Sequence, residues 1–203
     1  MQDEEHWVEV YRTKAPDTVS WYQPRPEATL RALERLHVRE TTSLIDIGGG
    51  ASTLVDNLIE RGWSDITVLD IAAPALEIAK ARLGLVADRV HWQVADITTW
   101  IPNRTFDVWH DRAVFHFLTT KEQREAYLRA LGRGLARDGL VIMATFAVDG
   151  PERCSGLPVQ RYDAASLAKA VGAKFKPADD WREVHITPAG NFQDFTWCAF
   201  KRA

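Results

Sequence analysis

The chain has 203 residues with 46% apolar composition, enough to build one sizeable core and consistent with a single domain. A formal net charge of −3 provides no basic surface of the kind that grips phosphate backbones, so nucleic acid is not the expected partner. Cys154 and Cys198 are too few for a disulfide framework, residues 1–20 carry charges without an apolar run, and no stretch nears the ~20 apolar residues that span a bilayer; the expected location is cytoplasmic, with no membrane partner.

Glu4–Thr13 and Pro26–Val38 read as helices, joined by the proline-containing linker Lys14–Arg25 with its aromatic pair Trp21-Tyr22. Residues 1–40 are expected to form a helical cap or lid and residues 41–203 the main domain. From Thr42 onward strand and helix signals alternate, which argues for parallel βα units. The strand runs are Ser43–Ile47, Asp65–Asp70, Arg89–Val94, Phe106–His110 and Leu140–Phe146, with a final pair near Phe175–Glu183 and Gln193–Phe200. Helical spacing appears over residues 51–61, 74–83 and 121–136, the third with Gly139 as its C-cap signal, and from Asp163 as N-cap to Val171. Ile186–Asn191 is too short for a crossover helix, so the last two strands form an antiparallel hairpin. The expected fold is α/β: a Rossmann-like, seven-stranded, mostly parallel sheet with helices on both faces and a C-terminal antiparallel β-hairpin.

The most informative segment is Leu44-Ile-Asp-Ile-Gly-Gly-Gly-Ala-Ser-Thr53, a short buried strand running into a triple-glycine turn and a helix start. Without Cβ atoms, Gly48, Gly49 and Gly50 let the chain turn tightly and let a ligand lie on main-chain N–H groups. Asp70, twenty residues past Gly50, ends the next strand where such folds place a carboxylate for ribose hydroxyls. A dinucleotide fingerprint places a third small residue where this chain has Thr53, which points away from a nicotinamide cofactor.

Asp46-x-Gly48-x-Gly50 resembles motif I of class I S-adenosylmethionine-dependent methyltransferases. Val68-Leu69-Asp70-Ile71 resembles the family's ribose-binding strand end, Val94-Ala95-Asp96-Ile97 its adenine-flanking turn, and Phe106–Asp111 the motif before its active site. The resemblance implies S-adenosyl-L-methionine as cofactor and S-adenosyl-L-homocysteine as product. It places Asp46 at the methionyl amine, directly or through water, Asp96 at the adenine amino group and Ile97 over the ring. A narrower resemblance, spanning nearly the whole chain, is to the thiopurine and small-thiol branch. It rests on Trp7–Tyr11, Trp21-Tyr22-Gln23, His110-Asp111-Arg112-Ala113 and the loop Asp149–Arg161, a loop also typical of a bacterial subgroup of the class. The chain departs from that branch at His110 and at Phe115, His116 and Phe117, so acceptor specificity does not carry over.

Each candidate has two readings. Asp46 either caps the turn or contacts the cofactor. Trp7, Tyr11, Trp21 and Tyr22 either pin the N-terminal segment or offer aromatic faces to the sulfonium, with Trp21 and Tyr22 the better candidates. His110, Asp111, Arg112 and His116 lie at the fourth strand's carboxyl end, where open α/β sheets assemble their sites. His110, His116 or Asp111 offers a base, His110 also stands as a cofactor neighbour, and Arg112 offers a two-point contact to an acceptor carboxylate. Cys154 reads as a pocket-wall thiol, since direct displacement needs no enzyme nucleophile; His185, Arg182 and Lys201 read as solvated, and no metal site is expected. The expected acceptor is a small molecule, a thiol or other soft nucleophile first, bound by a monomer or homodimer. Protein side-chain methylation, a nicotinamide-dependent oxidoreductase and a non-catalytic cofactor-binding domain are the competing readings.

Overall fold

Leu44, Ile45 and Ile47 are buried on both faces of their strand because that strand lies inside a sheet covered by helices on each side. In the computed structural model, which describes residues 2–202, the elements open with α1 (Gln2–Thr13), α2 (Glu27–Arg35), β1 (Leu44–Ile47), α3 (Leu54–Glu60), β2 (Ile66–Asp70), α4 (Ala73–Leu83) and β3 (Val90–Val94). They continue with β4 (Phe106–Arg112), α5 (Lys121–Gly134), β5 (Leu135–Phe146), the short β6 (Arg153–Cys154) and β7 (Leu157–Pro158), α6 (Ala164–Val171), β8 (Phe175–Ile186) and β9 (Phe192–Arg202). Thr120 starts α5 and Asp163 starts α6, each accepting from the backbone three residues on while that residue's side chain reaches back.

The seven-stranded sheet has the order β3-β2-β1-β4-β5-β9-β8, and only β9 runs against its neighbours. The chain winds outward from β1 to β3 and then returns to β4 on the other side of β1, which opens a crevice at the carboxyl ends of these two strands. Register then decides what faces what. Asp46 is level with His110, and Ile47 with Asp111. Leu44 and Val108 pack on the α2–α3 face while Ile45 and Trp109 pack on the α5–α6 face, so alternation sends His110 and Arg112 one way and Asp111 the other.

Three local expectations are corrected. Helix α5 stops at Gly134, and Gly139 is not its cap: it lies in an irregular stretch of β5, where pairing jumps from Phe106↔Leu135 to Val108↔Leu140 and Asp138 takes φ +61°. The Asp149–Arg161 loop contains the small hairpin β6–β7. His185 is buried rather than solvated, because its Nε2–H donates to the Ser20 carbonyl at 2.7 Å.

Candidate active site

The glycine turn is tight for identifiable reasons. Gly48 has φ +67°, and a Cβ there would stand 2.1 Å from Val114 Cγ2; one on Gly49 would stand 2.5 Å from Asp46 Oδ2. Gly50, at φ +44°, packs between Asp70 Oδ2 and the Tyr11 hydroxyl, at 2.8 and 3.0 Å from the same ideal Cβ. Beside the turn opens a cavity of about 270 Å³, walled at one end by Gly48, Asp70, Ile71, Asp96 and Ile97 and at the other by Trp7, Trp21, Arg112, Phe117 and Cys154. A smaller cavity of about 60 Å³ lies under the N-terminal linker, with Tyr22, Asp46, Gly49, Thr29 and His110 on its wall; Trp21 and Arg112 border both.

The carboxylates at the first end are held by backbone. Asp70 Oδ1 accepts from Ala72 N–H at 2.8 Å, just ahead of α4, and burial, together with the nearby Asp46 charge, pushes its pKa up to about 7. Asp96 Oδ1 accepts from the Thr98 N–H and hydroxyl at 2.8 and 2.7 Å. Thr53, where a dinucleotide site has a small residue, donates its hydroxyl to the Gln23 carbonyl at 2.9 Å and so helps fasten the linker.

The β4 end separates into different surroundings. His110 is buried between Asp46 (Nδ1 to Oδ1, 2.6 Å) and Thr29 (Nε2 to Oγ1, 3.1 Å) and borders the smaller cavity alone. Asp111 is fully buried on the α5 side, accepting from the Tyr127 hydroxyl at 2.6 Å and the Val114 N–H at 2.8 Å, and burial raises it to about 6. His116 is also fully buried; its Nδ1 accepts from the Phe146 N–H at 3.2 Å, and burial beside Arg112 lowers it to about 3, so the ring is neutral. Neither Asp111 nor His116 lines either of these two cavities. Arg112 does, and among the described residues only Nη1 of its guanidinium has a partner, the Trp21 carbonyl at 3.2 Å; Nε and Nη2 are buried without one over the Phe195 ring.

Residues 44–139 match a family model described as a methyltransferase domain. The glycine cradle and the buried Asp70 on the cavity wall fit a ligand that bears ribose and must approach the main chain closely. The chain thus resembles methyltransferases over the stretch that carries the glycine turn, Asp70 and Asp96. Among curated proteins it is 28% identical to the mouse eEF1A lysine and N-terminal methyltransferase over 171 residues, which is 83% of this chain. The chain spans only 23% of that relative's length. Its fold resembles a solved S-adenosylmethionine-dependent methyltransferase from Anabaena variabilis, with a TM-score of 0.76, 16% identity and coverage of 98% of this chain and 93% of that one. It also resembles 1,6-didemethyltoxoflavin-N1-methyltransferase from Burkholderia thailandensis, solved with 1,6-didemethyltoxoflavin and S-adenosylhomocysteine, with a TM-score of 0.74, 19% identity and coverage of 98% and 87%.

The other end of the larger cavity is an aromatic collar. Trp7 meets Trp21 and Phe117 edge-on at 5.6 and 5.1 Å, and Tyr11 meets Trp21 at 6.2 Å. The linker that carries Trp21 is fastened through Ser20 to His185, through Trp21 to Arg112, and through Gln23 to Thr53 and to Glu183 (3.2 Å). Phe117 and Thr29 were not singled out as site residues in the sequence. Phe117 has a signal in its place two turns past the β4 end, whereas Thr29 is one polar residue on an amphipathic helix. Cys154 borders the cavity as expected, and burial pushes its thiol up to about 11.

Proposed function

We propose that the chain is an S-adenosylmethionine-dependent methyltransferase acting on a small molecule, a thiol or another soft nucleophile first, bound at the aromatic end of the larger cavity. The observation that carries this reading is the cavity wall, whose ionisable side chains are Tyr11, Asp70, Asp96, Arg112 and Cys154. Burial raises Tyr11 and Cys154 so that both stay protonated at neutral pH, and Asp70 and Asp96 serve the cofactor end. Asp111 and His116 stand off the wall, leaving no free general base. A thiol, with an ordinary pKa near ~8.5, needs none, and Arg112 favours its thiolate. The resemblance to the thiopurine and small-thiol branch supports the same class.

When bound, S-adenosylmethionine supplies an electrophilic methyl group on a sulfonium centre. The turn Gly48–Gly50 and Asp46 are assigned to its amino-acid part, Asp70 and Ile71 to the ribose, Asp96 and Ile97 to the adenine, and the faces of Trp21 and Tyr22 to the neighbourhood of the cation, where aromatic rings contribute ~1–2 kcal/mol. Arg112 holds the acceptor through its two unpartnered nitrogens. Residues 1–40 act as the cap: Trp7, Tyr11 and Trp21 exclude water and hold the acceptor in line, so alignment supplies most of the rate.

A second reading, methylation of a protein amine, is favoured by the name of the mouse relative. One assay separates the two: release of S-adenosylhomocysteine with a panel of small thiols, selenols, carboxylic acids and amines, run beside lysine-bearing and free-N-terminal protein acceptors. Turnover with thiols or selenols is the expected result. Turnover confined to protein amines would sink the small-molecule reading.

A further inference from the structure

Asp46 is a buried carboxylate, 4% exposed, on β1 two residues before the glycine turn. Its Oδ1 lies 2.6 Å from His110 Nδ1. An ionised carboxylate only accepts, so Nδ1 carries the proton, and in the neutral ring Nε2 is left as an acceptor. Nε2 faces the Thr29 hydroxyl at 3.1 Å, the one partner of that hydroxyl among the described residues. The three side chains form one buried chain of contacts, from Thr29 on α2, through His110 on β4, to Asp46 on β1. Thr29 and His110 are 1% and 2% exposed, so both bonds are buried. With Oδ1 occupied, Oδ2 stays tucked against the turn, 2.5 Å from where a Gly49 Cβ would stand. All three side chains share the wall of the smaller cavity.

We propose that His110 and Thr29 are positioning residues: they fix the Asp46 carboxylate against the glycine turn and so make cofactor affinity depend on the docking of α2. The inference rests on the reading of Asp46 as the contact for the cofactor's methionyl ammonium. It also reassigns His110, whose two ring nitrogens are both committed, from candidate base to support of Asp46. The branch that the chain otherwise resembles differs at His110, so this support belongs to this chain and has to be tested on it.

The test is calorimetric titration of the full chain with S-adenosylhomocysteine, arranged as a double-mutant cycle. Asp46→Asn is expected to weaken binding about tenfold or more, and Thr29→Val about three- to tenfold, with Thr29→Ser restoring the native affinity. In the Asp46→Asn background Thr29→Val is expected to add less than about twofold, because there is no oriented carboxylate left to disturb. A Thr29→Val effect of equal size in both backgrounds, or no effect in the native background, would overturn the relay and leave Thr29 a packing residue. An unchanged affinity in Asp46→Asn would instead overturn the reading of Asp46 beneath it. A readout without any variant is the His110 Nδ1–H proton, which resonates far downfield in so short a bond and is expected to move when S-adenosylhomocysteine saturates the protein. A resonance that stays in place would also overturn the relay.

Discussion

The two ends of the larger cavity are built from different materials. The end proposed for the cofactor is main chain and short side chains on the carboxyl ends of β1, β2 and β3, where Gly48, Asp70 and Asp96 are fixed by strand register and backbone hydrogen bonds. The end proposed for the acceptor is long side chains from elements far apart in sequence: Trp7 on α1, Trp21 on the linker, Arg112 on β4, Phe117 after it and Cys154 on β6. Backbone geometry tolerates almost no change, since a single methyl group has nowhere to go. A wall of side chains exchanges more freely and changes what it holds, which is how one scaffold serves many acceptors.

The comparison is broken most severely at Gly48. Gly48→Ala places a Cβ 2.1 Å from Val114 Cγ2 at φ +67°, and is expected to cost about 2–4 kcal/mol and S-adenosylhomocysteine binding with it. Adding Val114→Ala should restore only the part due to the clash; thermal melting and calorimetry check both. Asp70→Asn is expected next, weakening S-adenosylhomocysteine about ten- to hundredfold. Here pH sharpens the test. Ribose hydroxyls donate to the ionised carboxylate, so with Asp70 at about 7 the native affinity should fall about tenfold per unit as pH drops below 7, while Asp70→Asn stays flat. The free protein should respond in the opposite sense. A carboxyl raised in the folded state stabilises it most below the ordinary Asp value near ~4, and that contribution is lost as pH rises towards 7. Stabilisation by S-adenosylhomocysteine, read as a shift in Tm, should therefore grow with pH.

Arg112→Met is expected to raise the acceptor KM about ten- to hundredfold while leaving S-adenosylhomocysteine affinity within about twofold. An equal loss in both would move Arg112 to the cofactor end. The smallest effect is expected at Cys154: with its thiol pushed up to about 11, Cys154→Ala should change turnover by less than about twofold, and iodoacetamide should react slowly. A tenfold loss of turnover would give that thiol a chemical part.

The same division explains what was legible in the sequence. The strands of a mostly parallel sheet, the C-terminal hairpin and the glycine turn follow from hydrophobic pattern, linker length and residues that only one backbone shape accommodates. The β4 end was harder: His110, Asp111 and Arg112 adjoin in sequence and read as one cluster, yet strand alternation sends Asp111 to Tyr127 and α5 and leaves its neighbours on the α2 face. That alternation was already present in Val108 and Trp109, one on each face. Thr29 had no such signal, because the partner that gives it meaning lies 81 positions away. Gly139 fits a helix end and a kinked strand equally well, and only the pairing of β5 with β4 distinguishes them.

Strand β9 has a consequence for how the molecule is made. It lies between β5 and β8 in the sheet but follows both in the chain, and β8 has no other strand partner. While residues 192–202 are still inside the ribosome, the emerged chain shows one open edge along β5 and a twelve-residue β8 with nothing to pair with. The sheet beyond β5 therefore closes only when β9 takes its place between β5 and β8.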